Sequence, residues 1–203
     1  NFLYRTSVAP ANHPQGTAYE VSDLDLASRL SFFLWSSLPD RELLDLAIAG
    51  ELSDPPILNA QIERMIADSK SSTLASNFAY QWLELSKLDE INPDGAIFPY
   101  AFGAGDLRPD FKTELALFVD SIIREDLSVI SLLDADHSYL NERLALHYGI
   151  RNVKGNRFRR VELSDSTRWG LLGKGGVLMT SAYPNRTSPV LRGAWILENI
   201  LGT

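Results

Sequence analysis

The sequence predicts an all-α protein, with a compact multi-helix domain and a smaller basic, glycine-rich helical subdomain at the C-terminal end. Apolar residues recur at intervals of three and four along most of the chain, which is the period of a helix with one buried face. The segments with this pattern begin at capping residues or prolines and end at glycine or proline. Because the alternation typical of strands is nearly absent, we expect about seven or eight helices and almost no sheet.

Composition indicates one domain of ordinary size, or one domain with a small subdomain. The chain has 203 residues, of which 45% are hydrophobic and 22% are charged, and such a chain can bury a core. We expect an extended lead-in over residues 1–21, an acidic helical domain over residues 22–150 and a basic subdomain over residues 151–203. The net charge of −7 is unevenly distributed, because residues 151–203 carry nine basic but only three acidic side chains.

Capping residues predict where the first helices begin and end. The first helix is expected to start at Ser22, where Ser22 and Asp25 form a variant of the capping box, and to end before Pro39. The second ends at Gly50, a residue type that readily adopts the left-handed conformation. The third starts at Asp54, which is followed by two prolines suited to a first helical turn. A fourth helix carries core-sized side chains at helical spacing: Leu74, Phe78, Trp82 and Leu85.

A loop rich in glycine and proline is predicted over residues 89–105. A long helix then reaches about Arg124. We expect the face opposite its apolar side chains to be solvated, because it carries the charged residues Asp110, Lys112, Glu114 and Asp120. A short helix follows, from about Asn141 to Gly149.

The basic C-terminal segment combines a brief extended element, at Phe158 to Leu163, with two predicted helices. Residues 167–183 are expected to be helical despite four glycines, because glycine is tolerated where another backbone approaches closely. The second helix is expected to start at Ser188, since a hydroxyl cap followed by Pro189 is typical of a helix N-terminus.

Common catalytic and binding motifs are missing from the sequence. The stretch "GLLGKGGV" lacks the residues of a phosphate-binding P-loop and of a dinucleotide fingerprint. No nucleophile elbow is present, and the three histidines do not have the spacing of a zinc protease helix. Residues around Asp134 imitate the start of a calcium loop but lack its glycine and its bidentate glutamate. We therefore predict no metal site, and the acidic net charge disfavours nucleic acid binding.

The sequence contains no cysteine. This excludes disulfides, thiolate metal sites, thiol nucleophiles and covalent haem attachment within the chain. No apolar run is long enough for a transmembrane segment.

The candidate site residues are Ser188, Arg186 and Arg192, with His147 as a weak catalytic candidate. Two guanidinium groups beside a helix start could hold a carboxylate or phosphate. The alternative is a structural salt bridge between these arginines and an aspartate or glutamate of the acidic part of the chain. A lone histidine at the end of a short helix is also typical of a packed or capping residue, whose cation the helix dipole would favour.

Several stretches resemble two adjacent domains of unknown function found in large secreted proteins of planctomycetes and related bacteria. They include "FAYQWLEL", "LLDADHSYLNERLALHYGI" and "RWGLLGKGGVLMTSAYPNRTSPVLRGAWILENILGT". Proteins with these domains commonly contain cytochrome c modules as well. The resemblance implies an extracytoplasmic redox setting, with haem c in the full-length protein and a downstream haem-motif region or cytochrome module as partner. It transfers no reaction to any residue here.

Three hypotheses about function follow. The leading one is an accessory or docking module of an extracytoplasmic protein associated with c-type cytochromes and electron transfer, cut short of its haem-motif region. The second is an enzyme domain that binds an anionic small molecule through Arg186 and Arg192, with His147 as acid or base. The third is a purely structural helical domain.

Overall fold

The computed structural model describes Pro14, residues 17–99 and residues 101–203, with the side chain of residue 104 excepted. The chain divides into two compact units, residues 1–74 and residues 75–203. Most of the predicted lead-in lies outside the described residues, and residues 17–21 form neither helix nor strand. The domain boundary expected at residue 150 stays a prediction.

The first unit contains helices α1 (Asp23–Trp35), α2 (Arg41–Ala49) and α3 (Pro55–Ala67), and α4 (Ser72–Trp82) begins in it. The predicted start of α1 and end of α2 are confirmed: the Ser22 side chain accepts a hydrogen bond from the Asp25 amide, and Gly50 has a φ of 73°. Asp54 precedes α3 without a side-chain capping bond within the described residues, because two prolines in the first turn leave fewer amides to cap.

The core of the first unit is built from one face of each helix. The indole of Trp35 donates a 2.9 Å hydrogen bond to the carbonyl of Met65, which ties the end of α1 to α3. Arg64 holds Asp40 at 2.7 Å and thereby links α3 to the start of α2. The buried apolar side chains are Ala27, Leu34, Trp35, Leu43, Ala47, Leu52 and Met65.

The second unit is arranged around the long helix α6 (Arg108–Arg124), whose extent matches the prediction. Apolar residues at helical spacing along α6 are buried: Phe111, Leu115, Phe118, Val119 and Ile122. The other helices that the structure describes here are α5 (Lys87–Glu90), α7 (Ser131–Asp134), α8 (Glu142–His147), α9 (Gly175–Thr180) and α10 (Pro189–Asn199).

Two short antiparallel pairs of strands modify the all-α prediction, and the protein is mostly helical. Strand β1 (His137–Leu140) pairs with β2 (Arg159–Glu162), so that His137 faces Glu162. Strand β3 (Ala182–Tyr183) pairs with β4 (Arg186–Thr187). The extended element expected at Phe158 to Leu163 is confirmed as β2. Strand β1 was not predicted, and β3 and β4, with two residues each, are too short to produce a recognisable alternation.

The glycine-rich segment is α-helical only in α9, which corrects the single helix predicted over residues 167–183. A side-chain carbon at Gly175 would overlap the ring of Phe111 on α6. A side chain at Gly170, which has a φ of 55°, would overlap the backbone of Leu133. The predicted close approach of another backbone is therefore confirmed at Gly170, and α9 lies directly against α6 because it begins with glycine.

Within the described residues, we find no helix with the length and apolar character needed to cross a membrane.

Candidate functional site

A pocket of about 890 Å³ opens in the second unit. It lies among the loop before α6, helices α6, α8, α9 and α10, and the β3–β4 pair. Its size is that of sites which take small organic ligands. Most of its wall is apolar and includes Ile91, Ile97, Phe98, Leu107, Phe111, Leu178, Met179 and Tyr183.

Five arginines line this pocket, which we call the arginine pocket: Arg108, Arg143, Arg168, Arg186 and Arg192. Two of the five are already neutralised. Arg108 contacts Asp106 through two nitrogens at 2.9 Å, and these hydrogen bonds hold the pKa of Asp106 below its usual value. Arg143 forms a 2.5 Å ion pair with Asp110.

The other three arginines have no ion pair with a carboxylate among the described residues of the second unit. Arg168 lies over the ring of Tyr148, 4.6 Å from its centroid. Arg186 lies over the ring of Tyr183 at 4.9 Å. Aromatic faces attract guanidinium groups without using the N–H donors in the plane of the group. One Arg168 nitrogen donates a 3.4 Å hydrogen bond to the carbonyl of Gly173. These two cations are therefore oriented without being neutralised.

Arg192 is held differently. One of its terminal nitrogens donates a 3.1 Å hydrogen bond to the hydroxyl of Thr187. Its Nε is buried and has no hydrogen-bond acceptor among the described residues. A buried donor without an acceptor is costly, on the order of 1–3 kcal/mol, so Arg192 keeps an unmet hydrogen-bonding requirement within the described residues.

Ser188 has a structural role in this arrangement. Its hydroxyl accepts a 3.2 Å hydrogen bond from the amide of Leu191 and so caps α10, which confirms the predicted helix start at Pro189. Ser188 does not line the arginine pocket and its side chain is buried, so it caps α10 and contacts no ligand in the proposal below.

His147 ends α8 and lines the arginine pocket, with its ring 5.8 Å from that of Phe111. Partial desolvation of the ring and the positive charge of Arg168 lower the pKa of His147 below its usual value of 6.5, although the residue as a whole remains exposed. The cation expected from the helix dipole is therefore disfavoured. At neutral pH the imidazole is uncharged and can accept a proton.

A buried polar network lies behind the pocket. Glu114 of α6 is fully buried and accepts hydrogen bonds from the hydroxyls of Ser138, at 2.5 Å, and Tyr148, at 2.6 Å. Burial raises the pKa of Glu114 above its usual value. The Tyr148 hydroxyl also accepts a 2.8 Å hydrogen bond from the amide of Gly175. The network thus fixes the tyrosine ring that supports Arg168.

Lys174 is also fully buried, at the start of α9. Its ammonium group donates hydrogen bonds to the carbonyl oxygens of His137, at 2.9 Å, and Arg168, at 3.3 Å. It lies over the ring of Phe118. Burial lowers the pKa of Lys174 to about 8, and the negative charge of Glu114 opposes this shift.

The solvated face predicted for α6 is wrong for Asp110 and Glu114, which are 6% and 0% exposed. Strand β1 and the start of α8 cover this face. Ser138 of β1 binds Glu114, and the Asn141 amide donates a 2.9 Å hydrogen bond to Asp110. Charge alone could not distinguish this face from a solvated one, because the covering elements are short and irregular in sequence.

The structure brings three of the four predicted site residues, His147, Arg186 and Arg192, to the same pocket. Sequence reasoning missed Arg108, Arg143 and Arg168. Arg168 lies in the basic segment and could have been found from its charge. The other two lie in the acidic part of the chain, where no local signal distinguishes them.

Among the described residues, no group of three or more histidine, aspartate or glutamate side chains is arranged to hold a metal ion. The sequence has no cysteine, so haem cannot be attached to this chain through thioether bonds.

Comparison with known families gives two matches. Residues 21–150 match the sequence model of PSD4, a protein of unknown function (DUF1592). Residues 168–203 match that of PSCyt3, a protein of unknown function (DUF1588). Neither a curated protein nor a solved structure matches the chain. Because the first match covers more than half of the sequence, the chain belongs to the PSD4 (DUF1592) family of proteins of unknown function.

Proposed function

We propose that this chain is an accessory module of an extracytoplasmic protein associated with c-type cytochromes, and that it binds an anionic small molecule in the arginine pocket. The observation that carries the binding role is the presence of Arg168, Arg186 and Arg192 in one apolar-walled pocket without carboxylate partners in the second unit. The aromatic rings and the hydroxyl that hold these arginines orient them without cancelling their charge.

An anionic ligand is favoured by the physical chemistry of such a wall. Cations partly removed from water lose hydration, and an opposite charge with matching hydrogen-bond geometry compensates for that loss. Guanidinium groups bind carboxylates and phosphates through paired N–H donors, which makes these bonds stronger than neutral ones. The structural salt-bridge alternative lacks a carboxylate partner for Arg186 and Arg192 among the described residues of the second unit.

A second candidate function, acid–base catalysis on the bound anion, is favoured by the position of His147. Its imidazole faces the same pocket as Arg192, and its lowered pKa keeps it uncharged at neutral pH. A general base must be both deprotonated and within reach of the ligand. In this reading the arginines position the substrate and His147 removes or returns a proton.

The cytochrome association is supported by the PSCyt3 name of the family matched at residues 168–203. Expression of the intact gene product, in a host that matures c-type cytochromes, tests it. We expect an optical spectrum with haem bands. A correctly exported product without haem bands would contradict the association.

The binding role is tested by thermal unfolding in the presence of small carboxylates and phosphates. We expect anions to raise the melting temperature of the chain, and Arg186→Gln with Arg192→Gln to abolish the increase. Arg151→Gln is the control, because Arg151 is exposed and lies in the same basic segment but outside the pocket wall. If the pocket variants and Arg151→Gln respond alike to all anions, the purely structural alternative is correct.

A further inference from the structure

The charges of the arginine pocket indicate the class of ligand. Arg108 and Arg143 are paired with Asp106 and Asp110. This leaves the three unpaired guanidinium groups, which come from separate elements: Arg168 from the segment before α9, Arg186 from β4 and Arg192 from α10. One monovalent group would leave most of this positive charge uncompensated, because each guanidinium group carries a full charge.

The apolar wall limits the ligand further. Phe98 and Tyr183 lie in the wall, and each is 45% exposed. Phe111, Leu178 and Met179 form other parts of it. Inorganic phosphate would meet the arginines but leave the exposed faces of Phe98 and Tyr183 in water. An apolar body gains free energy in proportion to the area that it covers.

We infer that the ligand of the arginine pocket is an organic polyanion with an apolar body, of which an aromatic di- or tricarboxylate is the simplest form. This inference rests on the proposed function and deepens it by naming the ligand class. Two or more carboxylates compensate more of the charge of the three guanidinium groups than one does, and the ring system lies against the apolar wall. The volume of about 890 Å³ accommodates a ligand of this size.

Isothermal titration with four matched probes tests the inference. The probes are a naphthalene dicarboxylate, naphthoate, naphthyl alcohol and inorganic phosphate, which vary charge and apolar body separately. We expect the dicarboxylate to bind about tenfold or more tightly than naphthoate, since one added charge-assisted pair contributes on the order of that factor. Naphthyl alcohol and phosphate should bind more weakly still, and added salt should weaken the dicarboxylate most.

The outcomes separate the two proposals. If naphthoate or phosphate binds as tightly as the dicarboxylate, the ligand class is wrong while anion binding stands. If no anionic probe binds, the proposed function itself is wrong. Arg192→Gln locates the site: it should weaken dicarboxylate binding about tenfold, whereas Arg151→Gln should leave it unchanged. Equal affinity in both variants would overturn the assignment to this pocket.

Discussion

The hydroxyl of Tyr148 donates a 2.6 Å hydrogen bond to the buried carboxyl group of Glu114, while its ring lies beneath the guanidinium of Arg168 at 4.6 Å. One tyrosine thus connects the buried polar network to the wall of the arginine pocket. Burial and the negative charge of Glu114 raise the pKa of Tyr148 far above its usual value. The Tyr148 hydroxyl therefore stays protonated and continues to donate its hydrogen bond to Glu114.

Glu114→Gln should flatten the pH dependence of stability on the acid side. Burial raises the pKa of Glu114 above 4.5, so the folded state holds a proton that the unfolded chain releases above that pH. The free energy of unfolding contributed by this group therefore falls as the pH rises from 4.5 through the folded pKa. Urea denaturation across this range should show a shallower slope for Glu114→Gln.

The control for this variant is Glu63→Gln, because Glu63 is exposed on α3 in the first unit. Its pH profile should match that of the original chain. A Glu114→Gln profile with an unchanged slope would contradict a buried, proton-holding carboxyl at this position.

Lys174→Met should also flatten the pH dependence of stability, on the alkaline side, where the original chain gains stability as the pH rises. Burial lowers the pKa of Lys174 from 10.5 to about 8. Below pH 8 the buried lysine of the original chain is charged, and the cost of burying this charge lowers the free energy of unfolding. Between pH 8 and 10.5 the folded chain has released the proton while the unfolded chain still holds it, so the free energy of unfolding rises. The shift corresponds to a change on the order of 3 kcal/mol. Denaturation between pH 8 and 10.5 should show stability that rises for the original chain and stays flat for Lys174→Met. If the stability of both proteins changes with pH in the same way, the pKa of Lys174 is not lowered by burial.

Gly175→Ala should destabilise the second unit by about 1–3 kcal/mol, because the added carbon would overlap the ring of Phe111 and push α9 away from α6. Gly193→Ala is the matched control on α10, where a side-chain carbon meets no atom of the described chain within 4 Å. It should stabilise by up to about 1 kcal/mol through helix propensity. Thermal melts of both variants compare the two directly, and equal effects would argue against the close packing of α9.

His147→Gln separates catalysis from binding. If His147 acts as the base, this variant retains the affinity for a bound polyanion within about twofold, since the imidazole is uncharged and the arginines carry the attraction. Titration calorimetry measures this. A loss as large as that of an arginine variant would show that His147 is a binding residue instead.

The sequence was most informative where a local pattern decides the structure. The caps at Ser22 and Ser188 and the end at Gly50 depend on neighbouring residues alone, and they were predicted correctly. The burial of Glu114 depends on a strand from elsewhere in the chain, and its charge suggested the opposite. When a segment that is distant in sequence covers a charged side chain, the spacing of apolar residues around that side chain does not indicate it.

The candidate site shows the same division. Arg186 and Arg192 were recognisable because they flank a helix start in a basic segment. Their convergence with Arg168 and His147 depends on the packing of α8, α9 and α10 around α6. No spacing of residues along the sequence indicates that these side chains lie close together, so the pocket could be identified only from the folded structure.

The most direct test of the account is the dissociation constant of a naphthalene dicarboxylate, measured by calorimetry for the original chain, for Arg168→Gln combined with Arg192→Gln, and for Arg151→Gln. We expect the double variant to bind about a hundredfold more weakly, through the loss of two charge-assisted contacts, and Arg151→Gln to bind as the original chain does. Equal dissociation constants for all three proteins would contradict it.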